Sequence, residues 1–310
     1  MQEKFVVSTS PHIRIDEDTS GIMRAVNMSL LPTLIASAYI FGWRVLLVVA
    51  LSVFSCIVSE VISQKLLGKK ITVRDGSAAV TGILFAFTLP PQVPLWMVVI
   101  GAVIAIFLVK QLFGGLGYNI FNPALAARAV LLSSWPTCMT GWTSPVLSFC
   151  GADAITSASP LNIVKMHLAQ PLPSYWSLFI GNVPGSIGET CKLTLLIGAA
   201  ILLIKNIIDW RIPVSFIGVV ALLSILFKRD PVFEILSGGL ILGAFFMATD
   251  MVTAPTTRKG KIIFGAGCGA ITSLIRVYGG FPEGVCYSIL FMNCLTPLID
   301  KYVRPRRFGR

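Results

Sequence analysis

Long apolar runs alternate with short polar clusters along almost the whole chain. Ten such runs stand out, at 27–42, 44–63, 77–89, 94–113, 120–133, 191–208, 212–227, 237–249, 262–278 and 284–300. Several are long enough, as helices, to cross a hydrocarbon core of ~30 Å. The pattern predicts an all-α polytopic membrane protein with about ten transmembrane segments. Two of the runs are short. As helices, Ser77 to Leu89 and Ser237 to Thr249 reach only about 20 Å each. Each contains glycine, and proline follows at Pro90-Pro91 and at Pro255.

The two short runs resemble each other. Gly82-Ile83-Leu84-Phe85-Ala86-Phe87-Thr88 aligns with Gly243-Ala244-Phe245-Phe246-Met247-Ala248-Thr249. Around them, Gly42-Trp43-Arg44 matches Asp209-Trp210-Arg211, and Gly68-Lys69-Lys70 resembles Phe227-Lys228-Arg229. Gly114-Gly115-Leu116 matches Gly279-Gly280-Phe281. The matches come in the same order, which predicts two five-segment repeats with short broken helices. We expect the repeats to superpose in parallel about an axis near the membrane normal. Paired short segments of this kind point to a site near the bilayer midplane. The chain divides accordingly into a polar N-terminal tail (1–26), a first repeat (27–133), a loop (134–190), a second repeat (191–300) and a basic tail (301–310).

Composition agrees with a membrane setting. Charged residues make up 13% of the 310 positions, against about 25% in soluble domains, and the mean hydropathy is +0.81. The net charge of +11 does not argue for nucleic acid. The bases sit in clusters beside the apolar runs: Lys65, Lys69, Lys70 and Arg74; Arg258, Lys259 and Lys261; Arg304, Arg306 and Arg307. That is the distribution of cytoplasmic flanks. The Lys and Arg tally does not separate ten crossings from eight. The loop does, because Lys165 is its only Lys or Arg between Ser134 and Thr190. We therefore expect the loop outside and both termini in the cytoplasm, in the cell inner membrane.

Seven cysteines and two histidines offer no CxxC and no metal-ligand spacing, so no metal site is expected. The cysteines of the apolar runs, Cys56, Cys268, Cys286 and Cys294, read as small core residues. Ser186-Ile187-Gly188-Glu189 reads as a capping box ahead of the run near Cys191, which gives Glu189 a structural role. Asp250 is expected to pair with Arg258 or Lys259.

The loop carries Asp153-Ala154-Ile155-Thr156-Ser157-Ala158-Ser159-Pro160. Asp, Ser and Thr bond readily to backbone amides, so these residues suit a turn and helix cap. The pattern Asp-x-x-Thr-x-Ala-Ser-Pro also resembles the signature read by membrane-associated flavin transferases. Further stretches resemble the D subunit of the Rnf complex and, more distantly, the B subunit of the sodium-translocating NADH:quinone reductase. They are Ser10-Pro11-His12-Ile13-Arg14, the run from Gly117 to Arg128, Gly185-Ser186-Ile187-Gly188-Glu189-Thr190, the run from Thr249 to Pro255, and Gly280-Phe281-Pro282-Glu283-Gly284-Val285.

The resemblance implies an FMN-carrying subunit of a redox-driven ion pump, inactive alone. It would relay electrons between ferredoxin and NAD, with Na⁺ or H⁺ translocation. Its partners would be the other Rnf subunits and a flavin transferase. The attachment position is Ser159, where the commoner pattern has Thr, and Thr156 is a competing hydroxyl. Asp153 would serve recognition by the transferase. Asn119, Asn122 and Arg128 would lie near a flavin. For Asn122 and Pro123, an ordinary helix start is the competing reading. With FMN outside, electrons have most of a ~30 Å core to cross. That calls for a further centre, either a cluster shared by neighbouring subunits or a second, non-covalent flavin such as riboflavin. A passive channel or secondary transporter is the alternative, and the loop signature distinguishes the two.

Overall fold

The computed structural model describes residues 18–145, 156–166 and 171–304. Asp153 lies outside them. Among the described residues the chain is mostly helical, and the only strands are β1 (Trp142–Thr143) and β2 (Thr156–Ser157), a short antiparallel pair.

Helices α1 (Thr19–Phe41) and α2 (Arg44–Leu66) form an antiparallel pair turned at Gly42, whose φ of 86° suits glycine. The first helix starts eight residues earlier than the apolar run, because the mixed segment from Thr19 to Val26 continues the helix. The short helix α3 (Ser77–Phe87) follows. Next, α4 (Leu95–Val103) continues as a π-helix, Ile104–Gln111. Helix α5 (Pro123–Ser134) opens on Asn122, whose side chain accepts from the amides of Ala124 and Leu125, with proline in the first turn.

The loop is not irregular throughout. It holds α6 (Pro136–Met139), α7 (Pro160–Lys165) and α8 (Tyr175–Ile180). Then come α9 (Lys192–Ile204), α10 (Arg211–Leu226) and α11 (Pro231–Leu236). The second short run is broken: α12 (Leu240–Leu242) passes into a π-helix, Gly243–Met247. Helices α13 (Arg258–Tyr278) and α14 (Val285–Tyr302) complete the fold. By length and composition, Arg44–Leu66 and Arg258–Tyr278 could each cross a membrane unaided.

Contacts sort the helix ends into two groups. At one end Thr19, Gln64, Lys69, Arg74 and Gln111 surround one depression. Ile22, Met23, Ile207, Ile208 and Val252 line one adjoining cavity, Lys261 pairs with Asp209 at 3.1 Å, and Thr256 bonds Asp300. At the other end lies the loop. Lys165 donates to the carbonyls of Ile275 and Phe281, Tyr175 donates to Asp230, and Trp96 stacks edge-on against Trp135.

Helices pack closely because small residues face backbone. A Cβ at Gly198 would clash with the Ser29 carbonyl oxygen, where α9 meets α1. Serine and threonine line the interior at Ser29, Thr33, Ser37, Ser52 and Thr272, all buried, as expected of helices packed in lipid. Large apolar side chains such as Ile35, Phe54, Leu222 and Phe291 point outward.

Candidate functional site

The predicted site residues fall in three places. Asn119 and Asn122 line a largely apolar cavity of ≈110 Å³ between the two halves of the chain. Ser77, Lys110, Phe246 and Asp250 share its wall. The amide donors of both asparagines are engaged: Asn119 Nδ2 donates to the Phe121 carbonyl at 3.1 Å, and Asn122 Nδ2 to Met247 O at 3.2 Å. So Asn122 caps α5 and also serves the carbonyl end of the second short segment. The broken end of α3 is served in the same way. Ile187 N donates to Leu89 O at 3.0 Å and Gly188 N to Phe87 O at 2.9 Å.

Asp250 does not pair with Arg258 or Lys259. Its carboxylate accepts from Val252 N at 3.4 Å and Thr253 Oγ1 at 3.2 Å, so it closes its own turn. The buried cations of the two halves are paired elsewhere. Lys110 donates to Glu60 Oε1 and Ser77 Oγ, both at 2.6 Å. Arg276 meets Glu234 Oε2 at 2.8 Å and the carbonyls of Glu234, Ser237 and Glu283.

Arg128 lies two turns beyond Asn122 and belongs to the loop end. It forms a buried ion pair with Glu283. Ser159 sits close by at 7% exposure. It is the N-cap of α7, its Oγ accepting from Asn162 N at 3.3 Å. Its pocket, of ≈10 Å³, is walled by Glu189, Lys192, Gly238 and Glu283. Thr156 lies in β2, paired with Thr143.

The expected capping box is half formed. Ser186 N donates to Glu189 Oε1 at 3.1 Å, but Ser186 Oγ has no partner and α9 starts only at Lys192. Glu189 instead joins a buried charge cluster with Arg128, Lys192 and Glu283. Burial pushes the Glu283 carboxyl up to about 7, against the pull of Arg128 and with Glu189 adding to the rise. Burial acts on Glu189 too, but Arg128, Lys192 and hydrogen bonding from Glu283 and Ser186 hold it below the ordinary carboxylate value. Lys165 is pushed down by partial burial and by Arg229 nearby.

The family model described as "NQR2, RnfD, RnfE family" matches residues 6–309. The chain belongs to this family. Among its relatives is the D subunit of the proton-translocating ferredoxin:NAD(+) oxidoreductase complex of Clostridium ljungdahlii, 48% identical over 98% of this chain and 96% of the relative. The D subunit of the Na(+)-translocating counterpart from Acetobacterium woodii is 50% identical over 98% and 95%. The D subunit of an ion-translocating oxidoreductase complex from Stutzerimonas stutzeri is 40% identical over 96% and 94%.

As an NQR2, RnfD, RnfE family member the chain is a membrane-embedded subunit, which accounts for its outward apolar faces. Sequence reasoning missed Lys192 and Glu283 as members of the charge cluster. A signal for Glu283 was available: it is a carboxylate in a glycine-flanked turn directly ahead of an apolar run. Cys56, Cys268 and Cys286 are buried, as expected of core residues, whereas Cys294 is exposed on the outer face of α14.

Proposed function

We propose that this chain is the D-type membrane subunit of an Rnf-type ion-translocating oxidoreductase. It relays electrons between ferredoxin and NAD while Na⁺ or H⁺ crosses the membrane. The observation that carries this reading is the nearly full-length match, at 48% and 50% identity, to subunits so named. Nothing favours a passive channel. Deleting the chain from its host is expected to abolish ferredoxin-dependent NAD⁺ reduction in membrane vesicles together with the ion uptake it drives. Full activity in its absence would reject the reading.

The chain is read as ten crossings in two five-segment repeats, with both termini cytoplasmic and residues 134–190 outside. The grouping of helix ends supports this, as does the clustering of Lys69, Lys70, Arg258, Lys259 and Arg304 away from the loop. Five crossings per repeat is an odd number. The second repeat must then run in the opposite sense, and the contacts agree: α2 runs away from the loop end and α10 toward it. On this reading the repeats are inverted, about an axis in the membrane plane, in place of the parallel arrangement. Equivalent buried cations sit accordingly at opposite ends, Lys110 beside Ser77 and Arg276 beside Ser237.

FMN on Ser159, joined through its phosphate, is the cofactor reading. The group supplies one- and two-electron chemistry when bound. The hydroxyl is of the right class, but its pocket has room for about one water, so the flavin ring must lie outside it, on the loop. Ser159 would give up its cap to Asn162 N, and Lys192 offers the nearest cation to the phosphate. A flavin transferase must reach Ser159 before the pocket closes over it. The cavity beside Asn119 and Asn122 suits a second, flat and mostly apolar group such as riboflavin. Its position between the halves is where a relay across the membrane is needed. A fluorescent band at this chain's mass on a denaturing gel is expected from cells with an active transferase.

A further inference from the structure

The pocket under Ser159 has a feature that flavin attachment does not require. Glu189 is 3% exposed, and its Oε2 has no hydrogen-bond partner. A Cβ at Gly239 would lie 2.7 Å from that oxygen, so it points along the inner wall of the fold. The Glu283 side chain lines the same pocket, of ≈10 Å³, as Glu189. Two carboxylates crowded into one pocket, one of them buried, repel each other, and a single proton relieves the repulsion and can satisfy the orphaned oxygen. Each carboxyl comes from a connection, 181–191 or 279–284, so the two meet only in the folded chain.

We propose that Glu189 and Glu283 share one proton and form a proton-binding site beneath Ser159, at the loop end of the fold. In the loaded state one residue is a carboxylic acid donating to the other, and Arg128 balances the remaining negative charge. Release leaves two carboxylates and one free proton, and no electrons move. The charged groups facing the pair are Arg128 from α5, Lys192 from α9 and Arg276 from α13, with Glu234 of α11 already engaged by Arg276. Tyr287 and Cys286 of α14 also face Arg128. The proton exchanges near neutral pH, since burial lifts Glu283 to about 7. A phosphodiester on Ser159 adds a negative charge to the same pocket, which tightens the hold on the proton. This last coupling rests on the flavin reading above.

The test is infrared pH-difference spectroscopy on the purified complex. Wild type is expected to show a carboxylic C=O band that shifts in D₂O and is lost as pH rises through about 7. Glu189→Gln and Glu283→Gln should each remove it, while Asp209→Asn, at the other end, should leave it. A band that survives both glutamine variants, or a wild type without one, overturns the proposal. Thermal inactivation offers a second readout should a variant assemble poorly. Between the unfolded and folded pKa values the native state binds a proton that the unfolded chain does not. Stability should therefore fall as pH rises toward about 7. A wild-type stability that rises across that range contradicts the shared proton. In Ser159→Ala the band should remain with its midpoint lowered. A retained band with an unmoved midpoint overturns the coupling to Ser159 and leaves the shared proton standing.

Discussion

Asn122 ties the second broken segment to the first half of the chain, its Nδ2 donating to the carbonyl oxygen of Met247 at 3.2 Å. The same side chain caps α5 through Ala124 N at 3.1 Å and Leu125 N at 3.4 Å. One residue thus satisfies backbone groups of two elements, the first turn of α5 and the end of the second short segment.

Asn122→Ala is expected to cost about 1–3 kcal/mol, combining a lost cap with an orphaned carbonyl. Asn122→Asp keeps the cap acceptor but loses the donor to Met247, so its stability should lie between those of wild type and the alanine variant. Thermal inactivation in detergent measures both. Equal stability of the aspartate and wild-type proteins would remove the Met247 contact from the account.

Much of this was legible in the sequence. Asn122-Pro123 is a helix start on its face, and the two short glycine-containing runs showed where helices would break. The sense of the repeats was less visible, because similarity of residues carries no direction. Under the proposed ten crossings, five to a repeat, parity alone makes the two repeats opposite in sense. Glu189 was read as a cap from Ser186 three residues earlier. That local spacing cannot disclose Glu283 and Arg128, which arrive from distant turns of the fold. Asp250 likewise looked in need of a cation, yet Val252 N and Thr253 Oγ1 suffice.

Arg276 is 2% exposed and bonds Glu234 and three carbonyls. Removing one partner of a buried pair leaves an uncompensated charge, so Arg276→Met should cost roughly 3–5 kcal/mol. Arg276→Lys keeps the charge but cannot fork to four acceptors, and should recover only part of that. The partly exposed pair Arg211–Asp209 is a control expected to change stability by about 0–1 kcal/mol. Similar losses at both pairs would contradict the ranking.

Gly188 donates its N–H to Phe87 O, and a Cβ there would clash with the Phe87 side chain. Gly188→Ala should destabilise by about 1–3 kcal/mol through overpacking. At Gly218 a Cβ meets nothing within 4 Å, and in the middle of α10 alanine should stabilise by up to about 1 kcal/mol. The two alanine variants should therefore move the inactivation temperature in opposite directions. A harmless Gly188→Ala would mean that the loop does not cap α3.

Ser159→Ala should eliminate the covalent flavin and its gel fluorescence while costing only about 1 kcal/mol as a lost cap. Ser159→Thr should retain the adduct. Peptide mass spectrometry locates it, and an adduct on Thr156 would keep the function and correct the site. An unmodified wild-type loop from cells with an active transferase would sink the cofactor reading.

The sidedness of the loop can be read from intact cells. Ser174 caps α8 and is exposed, so a cysteine there should meet an impermeant thiol reagent without disturbing the core. Cys56, Cys268 and Cys286 are buried, and their replacement is best made with Ala or Ser so that no volume is added. In a background lacking all seven native cysteines, Ser174→Cys is expected to label from outside. Lys70→Cys, among the bases at the opposite end, should label only after permeabilisation. The reverse result would turn the molecule over and place the Ser159 flavin on the cytoplasmic side. Electrons from ferredoxin would then have no need to cross ~30 Å of hydrocarbon to reach it. The cavity beside Asn122 would lose its role as a relay, and the coupling of ion and electron movement would have to lie in other subunits. Labelling of both cysteines in intact cells would instead show leakage of the reagent, which a cytoplasmic reporter protein in the same cells detects independently.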